Sequence, residues 1–342
     1  MQTKRPALAG LFPWMEDSHV IRSTLIRAAL LSVGLSAGLT LKGDDASELD
    51  IDYAEHLPLV PYSMLLDITR AGDNLVAVGE RGHVILSADG SDWQQAEVVP
   101  TRSTLTTVFG LGQRLWAGGH DALIMTSGDG GNTWTREFFD PERQQAVMDI
   151  FFTDEDNGVA IGTYGLYLKT TDGGENWEDI TIDEEGGYHL NATVRFDDGK
   201  RMIAGEAGYS YRSYDDGATW EMMDLPYLGS MWGALKLDEQ CVLFFGLRGH
   251  VLKSCDFGMS WQMLDTGTES SISGSAVSDG QVLLVANSGT LLIKDDSNGF
   301  HAEKHSSGVD FAAAVALSDG GFLLVGEDGV FRYPETTERG HE

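Results

Sequence analysis

Apolar residues in this chain come in short runs broken by glycine- and aspartate-rich turns. Residues 146–170, AVMDIFFTDEDNGVAIGTYGLYLKT, hold three runs rich in Val, Ile, Phe, Tyr and Leu, divided by TDEDNG and GTYG. A fourth run, WEDITI, begins at Trp177. Short β-branched and aromatic runs between turn signals predict strands. Helical periodicity of any length is absent beyond residue 47.

The group of four runs recurs. SGDGGNTW (127–134) returns as TTDGGENW (170–177), SYDDGATW (213–220) and SCDFGMSW (254–261), with a shortened SADGSDW ending at Trp93 and an eroded KDDSNGF ending at Phe300. The aromatic anchors at 93, 134, 177, 220, 261 and 300 are 39 to 43 residues apart. A period near forty with four strands per unit is the pattern of a propeller blade. Tight turns between the second and third run of each unit (GERG 79–82, GGHD 118–121, GTYG 162–165, GEAG 205–208, GLRG 246–249, ANSG 286–289, GEDG 326–329) count seven units. The expected fold is an all-β, seven-bladed β-propeller over residues 48–342. Its seventh unit stops one strand short. The segment DYAEHLPLV (52–60) stands to MLLDI as WQQAEVV stands to TLTTV. It is therefore expected to close the last blade as its outer strand and to remove an open edge.

Each S-x-D-x-G-x-[TS]-W stretch falls on the hairpin between the third and fourth strands. Its acid and hydroxyl can bond backbone N–H groups of the turn, and its Gly can take positive φ. Its Trp can cover the hairpin and use its N–H as a polar handle. A calcium loop would need further oxygen ligands where the Trp stands. Asp89, Ser127, Asp129, Trp134, Asp172, Trp177, Ser213, Asp215, Trp220, Ser254, Asp256 and Trp261 are accordingly assigned a structural role, with no metal and no cofactor. The motif resembles the Asp-box of the sialidase-like superfamily. The longer pattern DIFFTDEDNGVAIGTYGLYLKTTDGGENW is similar to a repeat of the photosystem II assembly factor family of BNR propellers. The resemblance covers roughly residues 52 to 333. It implies a non-enzymatic, exported protein that helps a membrane complex assemble.

Residues 1–47 stand apart. Lys4, Arg5, Arg22 and Arg27 precede the apolar run AALLSVGLSAGLTL (28–41), and acids follow. This is the layout of a secretory signal, or of an anchor if it is not cleaved, and it predicts a periplasmic protein. Beyond residue 47 the chain carries 18 basic and 49 acidic residues. Such a surface repels nucleic acid and anionic lipid and suits a protein partner with a basic exposed segment. The expected form is a monomer. The twelve arginines beyond residue 47 are scattered, a departure from the arginine-rich patch that the resemblance implies for photosynthetic members.

An enzyme of the same architecture is the alternative, as a sialidase-like glycoside hydrolase or a carbohydrate binder. Sialidases place a Phe/Tyr-Arg-Ile-Pro motif ahead of their repeats. Here FRYP (331–334) follows the last repeat and reads as a strand of the seventh unit. No zinc spacing, nucleophile elbow or phosphate loop occurs. His189 and His305 read as surface histidines. Cys241 and Cys255 lie opposite each other when the chain is folded about Arg248, so they are either a disulfide or two half-buried thiols.

The second-to-third-strand turns and the connections between units share the face opposite the Asp-boxes, and it is the face that carries the active site in sialidase-like enzymes. On it Tyr164, Tyr188, His189, Asn191, Tyr227, Met231, Trp232 and Arg248 are expected to bind the partner, aromatics and arginine being the types that anchor interfaces. Alternatively, Tyr227 and Trp232 plug the central channel or pack between blades.

Overall fold

A computed structural model describes residues 51–183, 186–295 and 299–335. The expected signal or anchor, residues 1–47, lies outside them. Seven antiparallel sheets follow one another along the chain. Their inner strands are Leu65–Ala71, Leu105–Leu111, Val147–Phe152, Leu190–Arg195, Met231–Lys236, Ile272–Ser278 and Phe311–Ala316. The fold is a seven-bladed β-propeller.

Side-chain alternation along each strand builds the ring. In blade 2, Leu115 and Ala117 enter the core shared with blade 1, while Trp116 between them enters the core shared with blade 3. Successive strand side chains point to opposite faces, so one strand serves both neighbours. Each blade interface has one such apolar cluster, and that between blades 7 and 1 joins Ala313, Leu323 and Val325 to Leu65, Ile68 and Leu75. Second strands such as Gly158–Gly162 and Val242–Gly246 are buried along their whole length because a blade lies on either side.

All seven inner strands bulge one residue after they begin pairing, at Leu66, Thr106, Met148, Asn191, Trp232, Ser273 and Ala312. Facing the bulge, the second strand ends in glycine in six blades. A Cβ on Gly162 would come within 1.9 Å of the Ala146 carbonyl oxygen. Three bulge side chains tie a blade to the next. Thr106 donates to the Val147 carbonyl, Asn191 to the Met231 carbonyl and Ser273 to the Phe311 carbonyl.

Blade 7 departs from expectation. Among the described residues its sheet has three strands, Phe311–Ala316, Phe322–Gly326 and Gly329–Tyr333. The segment 52–60 does not add a fourth. Ala54 N–H donates to the Val99 carbonyl, Leu57 N–H to Gln95, and Arg102 to the Tyr53 carbonyl, so this segment straps the outer rim of blade 1. A single 3-10 turn, Val60–Tyr62, then wedges against blade 7 at Gly329 before the first inner strand begins. Closure of the ring rests on the apolar cluster between blades 7 and 1, not on a shared sheet.

The S-x-D-x-G-x-[TS]-W turns, which resemble Asp-boxes, form as the residue types require. Ser127 Oγ donates to Asp129 Oδ1 at 2.9 Å and accepts from Gly131 N–H, while Asp129 accepts from the N–H and hydroxyl of Thr133. The same web recurs at Asp172, Asp215 and Asp256. A side-chain bond from Asn176 to Asp172, and from Thr219 to Asp215, leads the donors that hold each carboxyl down at about 2. Their contribution to stability is complete above the unfolded value near 3.8 and is lost as pH falls through about 2. Indole N–H groups behave unevenly. Trp134 donates to the Gly131 carbonyl at 2.8 Å, but the buried Nε1 atoms of Trp177, Trp220 and Trp261 have no partner among the described residues. Those rings are held instead by Phe152, Tyr167 and Phe244. Asp129→Ala should lower stability by about 1–2 kcal/mol through lost turn hydrogen bonds and leave partner capture unchanged. Unaltered melting with abolished capture would instead make the turn a binding element.

Cys241 and Cys255 are joined, with sulfurs 1.99 Å apart, one register step beyond the pair Val242↔Ser254. The denatured, unreduced protein should therefore show no thiol to an Ellman-type reagent. Two titrating thiols would contradict the bond.

Candidate functional site

The turns between second and third strands put a non-glycine residue of blades 1 to 6 in the left-handed region: Arg81, Asp121 with Ala122, Tyr164, Ala207, Arg248 and Ser288. In most of them a glycine of positive φ follows, such as Gly165 and Gly249. Non-glycine residues adopt this conformation at some cost, and here it holds these positions at the turn tips of the face opposite the Asp-boxes. Tyr164 is 61% exposed, and Arg81 and Arg248 are also exposed. Neither guanidinium has an ion pair or hydrogen bond among the described residues. The recurring G-x-x-G turn was visible in the sequence. Its strained centre was not, and Arg81 went unnoticed there.

Around Tyr164 the connection between blades 3 and 4 adds aromatic surface. His189 meets Tyr164 edge-on with ring centroids 4.9 Å apart, and its backbone N–H donates to the Glu206 carboxylate. Tyr188 stacks on Tyr209 at 3.5 Å, and Tyr211 donates to Asp183. Burial, with Asp183 as acceptor, pushes the Tyr211 hydroxyl above the ordinary tyrosine range. Tyr164, Asp183, Tyr188 and Tyr211 line a cleft of about 240 Å³ with Ile180, Ile182 and Arg143, whose guanidinium is held by Asp140 and Asp179. Tyr209 and Tyr211 were not picked from sequence, because their approach to Tyr188 and Asp183 depends on the packing of two blades.

The structure divides the residues expected in blades 4 and 5. Asn191 and Met231 are buried, and Asn191 Nδ2 donates to the Met231 carbonyl at 2.9 Å. They are corrected here from partner contacts to an inter-blade tie, because the inner strand already begins at those positions. Tyr227 is half-buried, stacked on His250 at 3.7 Å with its hydroxyl donating to Leu247. Its placement favours packing over contact. Trp232 occupies the bulge position of blade 5, where blades 2, 4 and 6 place a small hydrogen-bonding side chain. Its ring forms no aromatic pair among the described residues, and the residue is 38% exposed. Leu228, in the connection before it, lies over Gly208 of blade 4 and is 65% exposed.

His305 is also corrected. It is buried between Phe311 and Phe331 and bonds Ser307. Phe331 packs against the core between blades 6 and 7, and Arg332 pairs with Asp319, so the first three residues of FRYP end the third strand of the blade. Among the described residues no group of three or more His, Cys, Asp or Glu side chains is placed to hold a metal ion.

Comparison with protein families matches residues 137–308 to the family described as Photosynthesis system II assembly factor YCF48. The chain belongs to that family. Solved structures share its fold at low identity. YCF48 from Cyanidioschyzon merolae is 16% identical, with 82% of this chain and 98% of that one covered and a TM-score of 0.64. A structure described as YCF48 bound to D1 peptide is 17% identical, with 85% and 97% covered and a TM-score of 0.65. A streptogramin B lyase, 11% identical with 80% and 93% covered, superposes with a TM-score of 0.70. Family membership thus points to assembly factors, while the bare fold is shared with enzymes. Comparison with curated proteins finds no match.

Proposed function

We propose that this chain is a non-enzymatic protein-interaction scaffold. It is exported to the periplasm, where it helps assemble a membrane or envelope complex by binding an exposed segment of one subunit. The observation that carries this reading is the set of Tyr164, Leu228, Trp232 and Arg248, its guanidinium unpaired among the described residues, exposed on one face of blades 3 to 5, in a chain of the YCF48 family. Peptide binding by a YCF48 structure of the same fold supports it. Exposed aromatics with arginine anchor interfaces, and the formal net charge of −30 favours a segment carrying basic residues. Export is supported by the apolar run 28–41 after basic residues, and by a disulfide, which oxidising compartments preserve.

Affinity capture from native envelope tests this. Trp232→Ala and Arg248→Ala should keep the wild-type melting temperature and each weaken partner capture about tenfold, the loss of roughly 1.4 kcal/mol. Full retention of the partner by both would refute the site. Turnover of any member of a fluorogenic glycoside panel would refute the non-enzymatic reading.

A further inference from the structure

The third strand of blade 7 has an outer edge that no strand of the described residues pairs with. Gly326 and Gly329 close a two-residue turn, after which Leu324 faces Phe331 and Phe322 faces Tyr333. In an antiparallel pair, hydrogen-bonded and non-hydrogen-bonded positions alternate. The N–H and C=O groups of Val330 and Arg332 therefore point away from the sheet, and none has a hydrogen-bond partner among the described residues. Proteins blunt such edges with lysine, proline, bulges or covering segments. Strand Gly329–Tyr333 contains no lysine or proline, its pairing has no register shift, and its one charge, Arg332, is taken by Asp319.

The surroundings define what fits. At one end the turn Val60–Tyr62 touches Gly329 and leaves Leu59 and Tyr62 68% and 72% exposed. Glu327 and Asp328 stand exposed on the adjoining turn. At the other end lie Glu303, which accepts from the Tyr333 hydroxyl, and Glu335. Among the described residues, the nearest segments are committed elsewhere. Residues 53–57 bond blade 1, and Glu335 turns towards blade 6 by accepting from Ser306 N–H. Outer strands of the other blades are as short as Gln94–Gln95 and Glu178–Asp179, so a brief segment completes a blade.

We propose that this edge is a strand-addition site that takes an extended segment of a partner protein as the fourth strand of blade 7. The segment runs antiparallel to Gly329–Tyr333, with apolar side chains towards Leu59 and Tyr62 and lysine or arginine towards the acidic rim. Main-chain hydrogen bonds supply affinity in this mode, and alternate side chains supply selectivity. The site is separate from the face of blades 3 to 5, so Trp232→Ala must leave it intact.

The test uses the full chain and a fluorescent octapeptide of alternating valine and lysine, with a valine–glutamate peptide as control. Binding of the lysine peptide should slow amide exchange at Val330 and Arg332 at least tenfold, and the glutamate peptide should not bind. Arg332→Ala, which loses the ion pair but keeps the N–H, should retain binding. Arg332→Pro removes one outward N–H at a position where an edge strand tolerates proline, and should weaken binding at least tenfold. The lysine peptide N-methylated at alternate residues should fail on the wild-type chain, a result independent of how Arg332→Pro folds. Equal binding of the N-methylated peptide would overturn the proposal. So would Val330 and Arg332 amides already protected in the free chain and indifferent to peptide, which would assign the edge to the chain's own terminus or to a second copy.

Discussion

Replacing Cys241 and Cys255 together by serine should lower the stability of the propeller by about 3 kcal/mol and its melting temperature by several degrees. The bond closes a loop with a sequence separation of 14, and a loop of that size removes roughly 3 kcal/mol of chain entropy from the unfolded state. The effect should be felt by the whole ring, because the hairpin it clamps supplies Val242 and Phe244 to one blade interface and Leu243 and Phe245 to the next. Dithiothreitol should bring the wild-type protein to the same melting point and leave the double mutant unaffected. Identical melting of oxidised, reduced and mutant protein would show that the bond contributes nothing.

A second large effect is expected from the inner strands, where two aspartates reach across to the next blade. Asp67 accepts from Val108 N–H at 2.8 Å, and Asp149 from Thr193 N–H at 2.7 Å. Desolvation among the closely packed inner strands pushes Asp67 up to about 6, against the lowering effect of its bonds to Val108, Ile68 and Thr107. Desolvation, reinforced by the charge of Asp67, pushes Asp149 up to about 7. Both residues are half-buried rather than fully enclosed, so the penalty is smaller than for a sealed carboxylate. A folded value above the unfolded 3.8 means that stability is complete below about 3.8 and is lost as pH rises through 6 to 7. Asp149→Asn keeps an acceptor for Thr193 and cannot ionise. It should be more stable than wild type at pH 8 by on the order of 2 kcal/mol and indistinguishable from it at pH 4. Parallel melting curves for the two proteins from pH 4 to pH 8 would rule out ionisation at this position as a source of strain.

Local patterns in the chain carried the architecture. The spacing of Trp93, Trp134, Trp177, Trp220 and Trp261 and the seven glycine turns are each set within a few residues, and they give the blade count without knowledge of distant contacts. The pairing of Cys241 with Cys255 was readable for the same reason, since one hairpin fixes it. Errors arose where the partner is remote. The segment 52–60 has the spacing of an outer strand, but Arg102, Gln95 and Val99 of blade 1 capture it. Asn191 and Met231 were placed in a connection because the bulge at the start of the inner strand leaves no mark in the hydrophobic pattern. His305 looked isolated in sequence, yet Phe311 and Phe331 enclose it. Of the proposed surface, Tyr164 and Arg248 were legible from their turns and Trp232 from its place outside the Asp-boxes. Leu228 and Arg81 emerge only once turn tips and inter-blade connections share one face.

Whether a protein partner is held on the face opposite the Asp-boxes can be read by placing a photo-cross-linking amino acid at single exposed tyrosines. Tyr164 stands on the proposed face, and Tyr214 is comparably exposed within an Asp-box on the other. Irradiation in the native envelope should yield a discrete partner adduct from position 164 and none from position 214. An adduct from 214 with none from 164 would contradict the account.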